Sequence, residues 1–145
     1  MIANAAQADR EMAGLFRDAW EVGAGYVCQW PNAAAVDINS LDTWAHWSQQ
    51  YTTGRQGSFG PVGRRKFIKE GAVIIVCFTP LAKGSTVGRT IAQVALGAYE
   101  GRRTSGGVTF RNVRIESEGQ GQADGTDRAW WATAVVAEFN YEYLR

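Results

Sequence analysis

Histidine, cysteine and proline are scarce in this chain of 145 residues, which has one His, two Cys and three Pro. The single imidazole, His46, stands between Trp44 and Trp47 with no Cys, Asp or Glu spaced to complete a metal site. Zinc binding and nucleophilic catalysis both need several converging groups, so His46 reads as a packed or interface residue. Cys28 and Cys77 are far apart in apolar, strand-like segments and read as small buried hydrophobes. Long apolar runs are missing as well. The stretch Ala72-Val-Ile-Ile-Val-Cys-Phe78 falls well short of the roughly 20 residues a membrane-crossing helix requires. The first residues carry Asp9, Arg10, Glu11, Arg17 and Asp18 where a secretory signal would be apolar. The expectation is a soluble protein made in the cytoplasm. A net charge of +1 removes any global electrostatic reason to bind nucleic acid or an anionic membrane.

What is present is an ordinary globular composition, 46% hydrophobic and 20% charged, sized for one domain over residues 1–145. Residues 4–20 place Ala5, Ala8, Met12, Leu15, Phe16 and Ala19 at helical spacing, and Gly23 and Gly25 should end that helix. A short strand over 26–30, a polar loop over 32–42 and a Trp- and Thr-rich strand over 43–52 follow. Four glycines and a proline in residues 54–63 predict a long exposed connection. Residues 65–79 begin charged and become continuously apolar, as in a strand entering a sheet centre covered on both faces. A second helix is predicted from an N-cap at Ser85 to about Tyr99, with Val87, Ile91, Val94, Ala95 and Ala98 facing inward.

Beyond Gly106-Gly107 the inward phase shifts from Val108 and Phe110 to Val113 and Ile115, which predicts a bulge near Arg111 or Asn112. Residues 118–127, polar and glycine-rich, are expected to form a mobile loop. The last strand puts Trp131, Thr133, Val135, Ala137, Phe139, Tyr141 and Tyr143 on one face. The order of elements predicts an α+β fold, a mostly antiparallel mixed sheet of about five strands with two helices packed on it.

Reactive constellations are few. Neither glycine-rich segment ends in the Gly-Lys-Ser/Thr that cradles phosphate, and the order in Lys83-Gly84-Ser85 is reversed. The carboxylate pairs Glu116/Glu118 and Glu138/Glu142 fall on strand faces that water would solvate anyway. Arg55, Arg64, Arg65 and Lys66 around the glycine-rich connection are the strongest local positive feature, suited to phosphates or an acidic protein surface. Only Phe59 interleaves with them, too little for a base-stacking platform. Six tryptophans suggest a protein that meets partners over large amphipathic surfaces. The candidate interface residues are therefore Trp44, Trp47, Arg55, Phe59, Arg64 and Arg65, with no catalytic, cofactor or metal residue to name.

Residues 44–143 resemble the tail-terminator proteins of phages with long non-contractile tails. The features that carry the resemblance are, in order, Gly63-Arg-Arg-Lys66, the apolar strand Ala72 through Thr79-Pro80, a glycine turn and helix, Gly107-Val-Thr-Phe110, and Trp131 through Glu138-Phe-Asn-Tyr141. The family implies a non-enzymatic virion protein, assembled in the bacterial cytoplasm. It would close into a six-fold ring on the tail tube, end tube growth and meet the head connector. Its partners would be copies of itself, the tube protein and the connector, with no membrane and no sequence-specific nucleic acid. The aromatic strand over 43–51 and the long connection over 54–63 depart from the family pattern, and by position that connection is a docking element. Alternatives are another head–tail connector or tail-completion protein, or, from a different class, a small ligand-binding module or enzyme.

Overall fold

The computed structural model describes residues 1–122 and 129–145. It is an α+β fold. A five-stranded mixed sheet runs in the order β1-β2-β3-β5-β4, formed by β1 (Val27–Gln29), β2 (Trp44–Gln56), β3 (Lys66–Pro80), β4 (Thr109–Gln122) and β5 (Ala129–Leu144). All pairings are antiparallel except β1 with β2. Helices α1 (Ala5–Arg17) and α2 (Ser85–Tyr99) lie on one face.

Asn4 caps α1 by accepting the Gln7 N–H at 2.9 Å. The helix then widens into a π-helical turn, Asp18–Gly23, in which the Ala24 N–H reaches back to the Ala19 carbonyl. That turn buries Trp20 and lets its Nε1 donate to the Val27 carbonyl at 2.9 Å, tying the helix to β1. Gly84, at φ +81°, occupies the cap position of α2, so Ser85 is the first helical residue instead of the cap. The buried stripe of α2 is Gly88, Ala92, Ala95, Leu96, Ala98 and Tyr99, turned from the predicted one, and Val87 is exposed. The reason is close approach. A Cβ at Gly88 would lie 2.7 Å from Trp131 and 2.8 Å from the Thr133 hydroxyl, so the small residues must face the sheet.

Val73, Ile75 and Cys77 of β3 and Val135, Ala137 and Phe139 of β5 alternate inward beneath the helices, as the period-two pattern requires. Across this layer the Trp47 Nε1 donates to the Tyr99 hydroxyl at 2.8 Å, and that hydroxyl donates to the Met12 carbonyl at 2.9 Å. One polar chain thus links β2, α2 and α1 inside the core. The expected bulge is present: the β4–β5 register shifts between Arg111 and Arg114, with Asn112 at φ +49°.

Three further expectations are corrected. The sheet is covered on one face by helices, while its other face is covered at one end only. There Val36, Ile38 and Leu41 pack on Trp44, Phe78 and Trp130. Ala72, Ile74, Ala134 and Val136 continue that face toward the far end, half-buried and outside both core clusters. A continuous apolar run in β3 therefore reflects a bare face as well as a buried one. Next, β2 continues through Gln56, which shortens the glycine-rich connection to residues 57–65; Gly54 belongs to the strand because the Lys69 side chain lies directly over it. Last, β4 runs through Gln122, paired with Ala129, where a loop over 118–127 was expected. Gly121 fits that strand because a Cβ there would sit 2.9 Å from Ala132. The remainder of the expected loop, 123–127, lies outside the described residues.

Candidate interface: the hairpin tip and the sheet edges

The β2–β3 hairpin ends in a tip, residues 57–65, held by polar contacts instead of apolar packing. The Gly57 N–H donates to the Lys66 carbonyl at 2.7 Å, and the Lys66 N–H donates to the Ser58 hydroxyl at 3.0 Å. The Arg65 Nε donates to the Gly60 carbonyl at 2.7 Å. Arg65 and Arg145 exchange backbone hydrogen bonds, clasping the tip to the end of β5. The Lys66 ammonium lies 3.0 Å from the Glu142 carboxylate. The tip is therefore a shaped element, with Phe59 96% and Val62 80% exposed beside exposed Arg55 and Arg64 and half-exposed Arg65.

Four of the six residues singled out from the sequence, Arg55, Phe59, Arg64 and Arg65, thus meet at one end of the molecule. Trp44 and Trp47 do not. Trp44 is 4% exposed, stacked on Phe78, and Trp47 is 3% exposed beneath α1 and α2. Their burial takes them off the surface that a partner could touch. The same correction applies to the tryptophans as a set: Trp20 and Trp130 are also buried, and Trp30 and Trp131 are half-buried. A two-layer domain needs large rings to fill the space between helices and sheet, and the Phe16–Trp20 and Phe16–Tyr99 stacks do this. His46, by contrast, projects from the bare face and is exposed.

No family model matches the chain, and no curated protein matches it. Sixteen chains of solved structures match. One of them, whose name is a sequence code, aligns over 91% of this chain and 94% of its own at 13% identity and a TM-score of 0.46. That superposition is too loose to carry an argument about function.

The sheet edges are the feature the residue pattern did not single out. On one side β1 pairs with Trp44, Ala45 and His46 only, so β2 has no outer partner from Trp47 through Gln56 among the described residues. On the other side the outer edge of β4 meets a single bridge, Arg103 with Thr109, and is otherwise unpaired among the described residues. Two long edges with unsatisfied backbone groups invite strand addition. Only a topology reveals them, because no residue type marks an edge.

A cavity of about 540 Å³ opens where β4 begins later than β5 ends. Its walls include Met1, Arg103, Gly106, Gly107, Tyr141 and Glu142. The carboxylates weighed for acid–base chemistry are engaged elsewhere: Glu116 and Glu138 pair with Arg114, Glu118 with Arg89 and Glu142 with Lys66. Among the described residues no three His, Cys, Asp or Glu side chains are grouped to hold a metal. Burial above all pushes the thiols of Cys28 and Cys77 up to about 12. The two cysteines flank Ala45 across adjacent strands, so they are not paired with each other. Among the described residues no helix is long and apolar enough to cross a membrane.

Proposed function

We propose that this protein is a structural subunit of a phage tail, a tail terminator whose copies close into a ring on the tube and join it to the head. The observation that supports this reading is the pair of free edges. β2 and β5 run one way, and β3 and β4 run the other. Copies arranged about an axis along the strands would therefore set β2 of one against β4 of the next as an antiparallel pair, with the alternation unbroken. The contact is heterologous, so it closes into a ring when the rotation per copy divides a full turn. The six-fold count comes from the family resemblance alone.

The basic, apolar tip supports the second half of the reading. Arg55 and Arg64 project beside Phe59 and would meet acidic residues of the tube protein. Negative-stain imaging of the purified protein, alone and with tube protein, tests both halves. Closed rings, with charge reversal at Arg55 and Arg64 impairing tail length control and head joining, are expected. Intact tail length and joining after charge reversal would refute the role of the tip, and a strict monomer that ignores tails would favour the alternative classes.

A further inference from the structure

We infer that the cavity of about 540 Å³ at the tip end of the sheet is a receptor for an acidic peptide segment, whose carboxylates pair with Arg55 and Arg103. That the partner is a protein meeting the tip rests on the reading above; the site itself belongs to a single subunit. Strand registers build its floor. Arg55 of β2 lies level with Ile68 and Glu142, and Glu70 lies level with Asn140 and Thr109. Residues level across neighbouring strands share a face, so these two rows stand side by side on the face that the helices leave bare. Arg103 closes the far side, its backbone bridged to Thr109. Its guanidinium lies over Gly107, where a Cβ would come within 3.4 Å of Nη2. The turn that carries it is fixed. Thr104 and Val108 are joined by backbone and side-chain hydrogen bonds, and Glu11 accepts from Thr104, Ser105 and the Gly106 N–H.

Charge pairing decides what the cavity takes. Glu70 has the Arg111 guanidinium at 3.6 Å and the Thr53 hydroxyl at 2.9 Å, and Glu142 has the Lys66 ammonium at 3.0 Å. Both carboxylates on the walls thus already have a cation. Arg55 and Arg103 have no side-chain hydrogen bond or ion pair among the described residues, so their guanidiniums face the cavity uncompensated. Asn140 adds a donor, since its side-chain oxygen accepts from the Thr109 hydroxyl and leaves the amide nitrogen over. An anion is the complementary ligand, and guanidiniums meet carboxylates in paired, charge-assisted hydrogen bonds. Met1 and Ile68 on the same walls give apolar contact to the methylenes of a Glu side chain, which a phosphate lacks. A chain of net charge +1 also has little pull on a polyanion, so a protein partner is favoured over nucleic acid. The cavity adjoins the tip, because Arg55 and Ile68 stand at the feet of the hairpin that carries exposed Phe59 and Val62. One acidic segment with apolar flanks can engage both.

Binding to the isolated subunit tests the site. Fluorescence anisotropy with a labelled hexaglutamate peptide should show saturable binding that weakens as salt rises, and a hexaglutamine peptide should show none. Arg55→Gln and Arg103→Gln should each weaken binding about 10-fold, with the unfolding midpoint unchanged. Lys83→Gln removes an exposed positive charge beyond the other end of β3 and should leave binding as it was. No binding at millimolar peptide, or equal loss in all three variants, would overturn the site. A single-stranded oligonucleotide that binds more tightly than the peptide through the same two arginines would overturn the choice of a protein partner. Tail assembly separates this inference from the reading it rests on. A subunit that binds the peptide through both arginines but ignores tails keeps the site and overturns the tail reading. Parent protein that caps tails yet does not bind the peptide overturns the site and leaves the tail reading standing.

Discussion

The two ends of β3 are built on different principles. Toward Pro80, the strand lies between helices on one side and the 36–41 segment on the other, and its side chains are sealed in two aromatic-rich clusters. Toward Lys66, the same strand enters a hairpin whose tip has backbone and polar hydrogen bonds but leaves Phe59 and Val62 almost wholly in solvent. The first end is stable because apolar surface leaves water. The second is ordered yet unsatisfied, a shape prepared for contact with something outside the chain. Sequence hydrophobicity does not separate the ends, since Phe59 and Phe78 are the same residue with opposite fates.

Substitutions should sharpen that contrast, and the sealed end should give the largest effect. Phe78, buried near Pro80, stacks on Trp44 with ring centroids 4.2 Å apart and meets Trp130 edge-on at 6.5 Å. Phe78→Ala should cost about 3–5 kcal/mol in denaturant unfolding. An intermediate effect belongs to Glu11, which fastens the 104–106 turn to α1. Burial would raise its pKa, but hydrogen bonds from Thr104, Gln7, Ser105 and the Gly106 N–H outweigh that and hold it below its ordinary value of 4.5. A carboxyl with a lowered folded-state pKa contributes stability above its unfolded value and loses it as pH falls through the folded one. Glu11→Gln should therefore destabilise by about 1 kcal/mol at neutral pH, a figure discounted for solvent screening. The difference from the parent should vanish in acid, and thermal unfolding across a pH series reads both. The smallest effect is expected at the tip. Phe59→Ala and Arg64→Ala should each change the stability of the isolated subunit by no more than about 0.5 kcal/mol. A larger loss would mean that the tip is packed like the other end and the contrast is false.

Much of the fold was legible in the sequence because side-chain periodicity reports burial directly. The alternation from Trp131 to Tyr143 became the inner face of β5, and the phase slip after Phe110 became the bulge at Asn112. The end of β4 was not legible, since Gly119 and Gly121 look like turn residues and are strand residues, Gly121 lying where a Cβ would meet Ala132. Nor was the fate of the tryptophans: an indole with a buried ring and a partnered N–H, as in Trp47, has the same local sequence signal as one waiting at an interface. At the candidate site, clustered charge and glycine around residues 55–65 located the tip correctly. The free edges and the cavity depend on which strands lie next to which, and residues distant in the chain, such as Met1, Arg103 and Tyr141, meet only after folding.

The central claim is that the outer edges of β2 and β4 pair between copies, and amide hydrogen exchange on the assembled and dissociated protein tests it most directly. The account predicts that outward-facing amides within residues 47–50 and 111–115 exchange rapidly in the separated subunit and become protected together when the ring forms. Assembled particles in which both edges exchange as fast as in the monomer would contradict it.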